Sequence, residues 1–131
     1  MSKQIAIPFG ILDFYDTYVT FLVSCERITK EIAKEILNHT DEYFEGNPYV
    51  FISNRVFSSR VDPAAYSVVD SSKLIGIAIV SESEQTVLEA RREEPLYDGQ
   101  FQVFRNLEKA KVWAEEIMTS SDDHPHDSSG Q

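Results

Sequence analysis

Leu74-Ile75-Gly76-Ile77-Ala78-Ile79-Val80 is a run of seven residues without one polar side chain. A strand wetted on one face alternates polar with apolar residues, so an unbroken run of this length reads as a strand covered on both faces. Tyr49 to Ile52 is a second such run, and Phe101 to Phe104 supplies a last strand. Helix signals lie between them. Asp62-Pro63 is an N-cap followed by proline at the first helical position, opening a short helix through Val69. Ser83 caps a helix to about Arg92, before Pro95 and Asp98-Gly99 force a turn. Asn106 caps a helix in which Leu107, Ala110, Trp113, Ala114 and Ile117 recur at helical spacing. Strands alternating with helices predict a mixed sheet, mostly parallel in its second half, with helices packed on it.

The first quarter of the chain has a different period. Ile5 to Ile7 is followed by a break at Pro8-Phe9-Gly10, then by Ile11 to Tyr15, a turn at Asp16-Thr17, and Tyr18 to Val23. These runs are rich in β-branched and aromatic residues and read as an antiparallel hairpin. The strongest helix signal comes next. Thr29 is placed to cap it, Glu31 sits where the helix dipole favours negative charge, and Ile32, Ala33, Ile36, Leu37 and Phe44 share a face. Gly46-Asn47-Pro48 is its stop. The expected architecture is thus α/β, an N-terminal antiparallel hairpin joined to a mixed sheet, with about four helices.

Charge and composition narrow the function classes. The 131 residues are 42% hydrophobic, enough to bury a core, and amount to one ordinary domain. From Thr119 onward no large apolar residue occurs, so residues 1–118 are expected to fold and residues 119–131 to form a disordered acidic tail. The net charge is −10, and without Asp122, Asp123 and Asp127 of the tail the chain still has 19 acidic against 12 basic residues. Such a field repels a polyanion, which argues against nucleic acid as a partner. The first dozen residues hold a single lysine and a short apolar run broken by Pro8 and Gly10, unlike a signal peptide or a span of about 20 apolar residues. One cysteine, Cys25, forms neither an internal disulfide nor a CxxC site, and a reducing cytoplasm is the expected setting.

No catalytic constellation is legible, and no cofactor or metal site is expected. GxGxxG, Walker, HExxH and GxSxG patterns are absent. His39 has no second ligand at metal spacing, and His124 and His126 lie in the tail. The pairs Glu93-Glu94, Glu115-Glu116 and Asp41-Glu42 read as solvated charge, as does Arg91-Arg92. The segment of interest runs from Ser53 to Asp62. A loop leaving a strand's carboxyl end for a helix is where open α/β sheets place sites. Arg55 and Arg60, with helix amides, suit an anion or a phosphorylated serine; the plainer reading is a connecting loop whose Arg55 pairs with an acidic neighbour.

Two stretches carry a resemblance. Phe104-Arg105-Asn106-Leu107-Glu108-Lys109-Ala110-Lys111-Val112-Trp113 is similar to the closing strand-to-helix signature of the SpoIIAA-like family, the STAS/SEC14-type small domains related to anti-sigma factor antagonists. Ser53-Asn54-Arg55, continuing through Val61-Asp62-Pro63-Ala64-Ala65-Tyr66, resembles its central loop and helix. The match spans about Ile5 to Met118. It implies a STAS-like sheet covered mainly on one side by helices, the other face or the N-terminal strands being left for association. Antagonists of this kind are phosphorylated on a serine of an Asp-Ser-Ser-Gly-like motif. Here those letters, Asp127 to Gly130, fall in the tail, and the fitting region holds Ser58 and Ser59 followed by Arg60. Phosphorylation at either would put roughly −1.5 to −2 charges at a helix entrance.

The expected function is a non-enzymatic protein-interaction domain of regulatory type. Its expected working surface is Arg55, Ser58, Ser59, Arg60 and Asp62, with a protein partner and self-association as a homodimer. The SEC14 side of the resemblance implies the alternative, a carrier or sensor of a small apolar ligand or lipid. Ile36, Tyr43, Tyr66 and Val69 would then line the pocket. A volume enclosed by apolar side chains favours the carrier, and a flat exposed apolar patch the interaction module.

Overall fold

The structure, a computed structural model, describes residues 3–55 and 60–130, with side chains through residue 119. Three strands open the chain, β1 (Lys3–Ile7), β2 (Gly10–Phe14) and β3 (Tyr18–Val23), followed by the short β4 (Arg27–Ile28) and helix α1 (Lys30–Phe44). Then come β5 (Tyr49–Asn54), the short β6 (Arg60–Val61), a 3-10 helix (Pro63–Val68) and β7 (Leu74–Val80). Helix α2 (Glu84–Arg91), a 3-10 turn (Glu94–Leu96), β8 (Gln100–Phe104) and α3 (Leu107–Gly130) complete it. Six strands form one sheet in the order β1-β2-β3-β5-β7-β8. The β1–β2 and β2–β3 pairings are antiparallel, and β3–β5, β5–β7 and β7–β8 are parallel. A separate parallel pair, β4–β6, lies beside it.

Sequence period explains the layers. In β2 and β3, Leu12, Phe14, Val19, Phe21 and Val23 point to one face and are fully buried there. Ile36 and Phe44 of α1, with Ala65 of the 3-10 helix, close over the same face. The other face of β5 and β7 carries Val50, Ile52, Ala78 and Val80, which pack against Ala110, Ala114, Ile117 and Met118 of α3. That is why β7 contains no polar residue: helices cover both of its faces. The expected one-sided cover is corrected here. The apolar stripe of α3 needs burial, and the outward residues of β5 and β7 are its complement, so α3 occupies the face expected to be left for association.

Three of the four expected caps form; Asp62 makes no side-chain bond to the 3-10 helix, because its carboxylate accepts from Arg27 instead. Thr29 Oγ1 accepts from the Ile32 N–H at 3.3 Å, Ser83 Oγ from the Thr86 N–H at 3.3 Å, and Asn106 Oδ1 from the Lys109 N–H at 3.2 Å. Each satisfies an N–H that the first helical turn leaves without a partner. Thr29→Ala is expected to cost about 1 kcal/mol and Thr29→Ser much less, as read by urea denaturation. Beyond the boundary expected near Met118, the backbone of α3 continues as helix to Gly130.

Candidate functional site

At the carboxyl ends of β5 and β7 the chain buries a charged network. Arg55 leaves β5 with its N–H donating to the Val80 carbonyl at 2.8 Å, which turns its side chain inward. The guanidinium is 1% exposed. Nη1 and Nη2 each donate to one carboxylate oxygen of Glu93 at 2.8 Å, the parallel two-bond geometry that arginine alone provides. Nε donates to Ser53 Oγ at 3.3 Å, and the Tyr66 hydroxyl donates to Glu93 Oε1 at 2.6 Å. Burial by itself would lower the pKa of Arg55, but the hydrogen bonds and charge of Glu93 outweigh it and hold the guanidinium above its ordinary value. Burial, then the Glu93 charge, pushes the Tyr66 phenol far up, so it stays a donor.

Glu93 is the residue that sequence reading misplaces. Expected to be solvated, it is buried because it follows α2 at the point where the chain tucks under the 3-10 helix. Nothing local distinguishes it from Glu94. Its partner lies 38 residues away, and only the assembled sheet brings the two together. The loop arginine's acidic neighbour is thus a core residue, and the pair offers no unmatched cation to an anion.

The remaining expected positions scatter. Arg60 is exposed and lies 3.5 Å from Glu89, while Asp62 is held by Arg27 Nε at 2.5 Å. Ser58 and Ser59 lie outside the described residues. Ile36, Tyr66 and Val69 do line one pocket, of about 70 Å³, between α1, the 3-10 helix and the sheet. Tyr43 does not. It stacks on Phe14 at 4.4 Å between ring centres, at the opposite end of α1, because position 43 points toward β2 rather than β7. Cys25 is half-buried, and that burial pushes its thiol up, away from the reactive thiolate. Among the described residues no helix is long and apolar enough to cross a membrane.

A second feature lies on the other side of the molecule. Phe104, Val112 and Trp113 form a shallow apolar groove between β8 and α3, rimmed by Glu108, Lys109 and Glu116. The Phe104 and Trp113 rings meet at 5.7 Å, and Val112 is 53% exposed. Among the described residues β8 is paired on one side only. Its Phe104 carbonyl accepts from the Ser81 N–H across the β7 side. Alternate residues of a strand turn their main-chain polar groups to opposite sides, so Phe101 and Val103 present theirs outward. Edge strands are commonly blunted by charge or proline; β1, at the other edge, begins with exposed Lys3, whereas Gln100-Phe101-Gln102-Val103-Phe104 has neither.

No family model and no curated protein matches the chain. Its fold is similar to that of an uncharacterized protein of the DUF3478 family from Shewanella loihica PV-4, whose crystal structure is described as having a SpoIIAA-like fold. The superposition has a TM-score of 0.53 and 12% sequence identity, covering 87% of this chain and 92% of that one. The chain has a SpoIIAA-like fold.

Proposed function

We propose that this SpoIIAA-like domain is a non-enzymatic protein-interaction module that takes an extended, basic segment of a partner protein along β8 and α3. The observation that carries the reading is the outer edge of β8: five residues without charge or proline, of which Phe101, Val103 and Phe104 have high strand propensity. Such an edge is a template for one more strand, whose main chain supplies affinity and whose alternate side chains supply specificity. The groove beside it offers Trp113 and Phe104 as an aromatic anchor, the residue type that dominates interface energetics. Glu108 and Glu116 outnumber Lys109 on the rim and, in a chain of net charge −10, favour a cationic partner and oppose a polyanion or a second acidic copy. A homodimer through the same edge is therefore expected to form only at high salt, where the mutual repulsion is screened. The proposed setting is the cytoplasm, and reversible docking of this kind is how the module would regulate its partner.

The test is selection of extended peptides from a random library, with binding measured on three chains. Wild type is expected to select alternating basic and apolar residues and to bind more weakly as salt rises. Trp113→Ala is expected to weaken binding by about 30-fold, the size of a hot-spot loss of roughly 2 kcal/mol. Gln102→Lys, which adds a blunting charge on an exposed side chain, should also weaken it. In the complex, the outward amides of Phe101 and Val103 should exchange more slowly. Selected peptides that leave those amides unchanged, or that bind the Trp113→Ala chain as tightly, would overturn the reading.

A further inference from the structure

The aromatic groove beside β8 is polarised along its length. Helix α3 starts just after Phe104 and runs back over the sheet, so that Ile117 and Trp113 reach Gly76, at 3.2 and 3.4 Å from where a Cβ would stand. Gly76 pairs with Gln100, which puts the turn after Trp113 toward the Gln100 end of β8. Lys109, one turn before Trp113, and the exposed Arg105 stand at the Phe104 end. Glu116, one turn after Trp113, and the exposed Asp98 stand at the other. Glu108 is also at the Phe104 end, but Lys111 Nζ lies 3.8 Å from its carboxylate. Glu116 has no ion pair or hydrogen bond among the described residues.

Trp113 is the other half of the arrangement. Gly76 leaves room for the far edge of its ring, Cη2, so the indole is anchored at that edge and half-buried overall. Its N–H makes no hydrogen bond among the described residues, and no buried side-chain nitrogen there lacks a partner, so the N–H is open to solvent. We infer that the groove takes an arginine of the partner segment, its guanidinium lying on the Trp113 ring and donating to the Glu116 carboxylate, and that lysine is a poor substitute. The inference rests on the docking reading above and adds the residue type and the end of the groove at which it sits. A guanidinium is flat and weakly hydrated, so it stacks on an indole while its edge still presents two parallel N–H groups to a carboxylate. An ammonium is a compact, strongly hydrated point charge, and an open groove does not strip its water.

The probes are three blocked peptides of alternating valine and threonine, differing only in a central arginine, lysine or citrulline. Trp113 is the single tryptophan of the chain, so its fluorescence and its one indole N–H resonance report binding to the full protein. The arginine peptide is expected to shift that resonance and to bind about tenfold more tightly than the lysine peptide, with the neutral citrulline peptide no better than lysine. Glu116→Gln should reduce the arginine preference to less than about threefold by removing the carboxylate that the guanidinium meets. Glu115→Gln removes the same charge from the exposed neighbour, on the Tyr18 side of α3, and should keep the preference. The inference is overturned if lysine binds within about threefold of arginine, if the preference survives Glu116→Gln, or if Glu115→Gln lowers it as much. The docking reading is scored separately, on the outward amides of Phe101 and Val103. Protection of those amides with equal arginine and lysine binding overturns the inference alone. An arginine preference without protection overturns strand addition and upholds the arginine site, and no binding by any of the three peptides overturns both.

Discussion

Glu93→Ala is expected to destabilise the protein by about 3–5 kcal/mol, because it leaves the Arg55 guanidinium buried without its counter-charge. Against a total stability of roughly 5–15 kcal/mol this is a large fraction. With a slope of roughly 2 kcal/mol per M, the urea midpoint should fall by about 1.5–2.5 M. The informative partner is the triple variant Arg55→Met, Glu93→Leu, Tyr66→Phe. It removes both charges and the hydroxyl that donates to Glu93 together, leaving the Ser53 hydroxyl as the one polar group of the network that loses a partner. Replacing a buried ion pair by apolar residues of similar volume is often neutral or stabilising by about 1–4 kcal/mol. A triple variant as stable as wild type, beside a crippled Glu93→Ala, would show that the network contributes specificity of arrangement rather than net stability. A Glu93→Ala chain losing less than about 1 kcal/mol would instead mean that Arg55 finds water in solution.

The contrast between Glu93 and Thr29 shows what kind of information the sequence holds. Thr29, Ser83 and Asn106 each act on an N–H group three residues away, and each helix start is legible from the residue alone. The strands were legible because burial on one face or two writes a period of two or an unbroken run into the residues themselves, as in Phe14 against Leu74 to Val80. Arg55 and Glu93 obey no such local rule. Their pairing depends on β5 lying beside β7 and on α2 delivering its end to the same corner. The pocket is partly legible: Ile36, Tyr66 and Val69 line it, but Tyr43, on the same helical face as Ile36, lies about two turns farther along. The open edge of β8 needed the strand order, since Gln100 to Phe104 reads alike whether its outer side is paired or bare.

Gly10→Ala is the second substitution with a large expected effect, and it tests the bend at Pro8-Phe9-Gly10. Gly10 pairs with Ile7 on one side and Val23 on the other, at a positive φ of 155°. A Cβ there would lie 2.1 Å from the Leu22 carbonyl oxygen and 2.7 Å from the Phe21 ring. The oxygen is main chain within β3, so the clash is relieved only by shifting the strand. Backbone strain of about 1–3 kcal/mol and overpacking of about 1–3 kcal/mol combine to roughly 2–6 kcal/mol. Gly46 is the control, because its φ of 86° is also positive but a Cβ there meets nothing within 4 Å. Gly46→Ala should therefore show the conformational part alone, about 1–2 kcal/mol. Hydrogen exchange should place the Gly10→Ala damage in β1 to β3 and leave β7 and β8 protected until global unfolding. Equal losses from the two substitutions would show that β2 and β3 separate readily in solution. The three-stranded antiparallel start would then be a weakly held annex to the parallel sheet, not a part of its cooperative core.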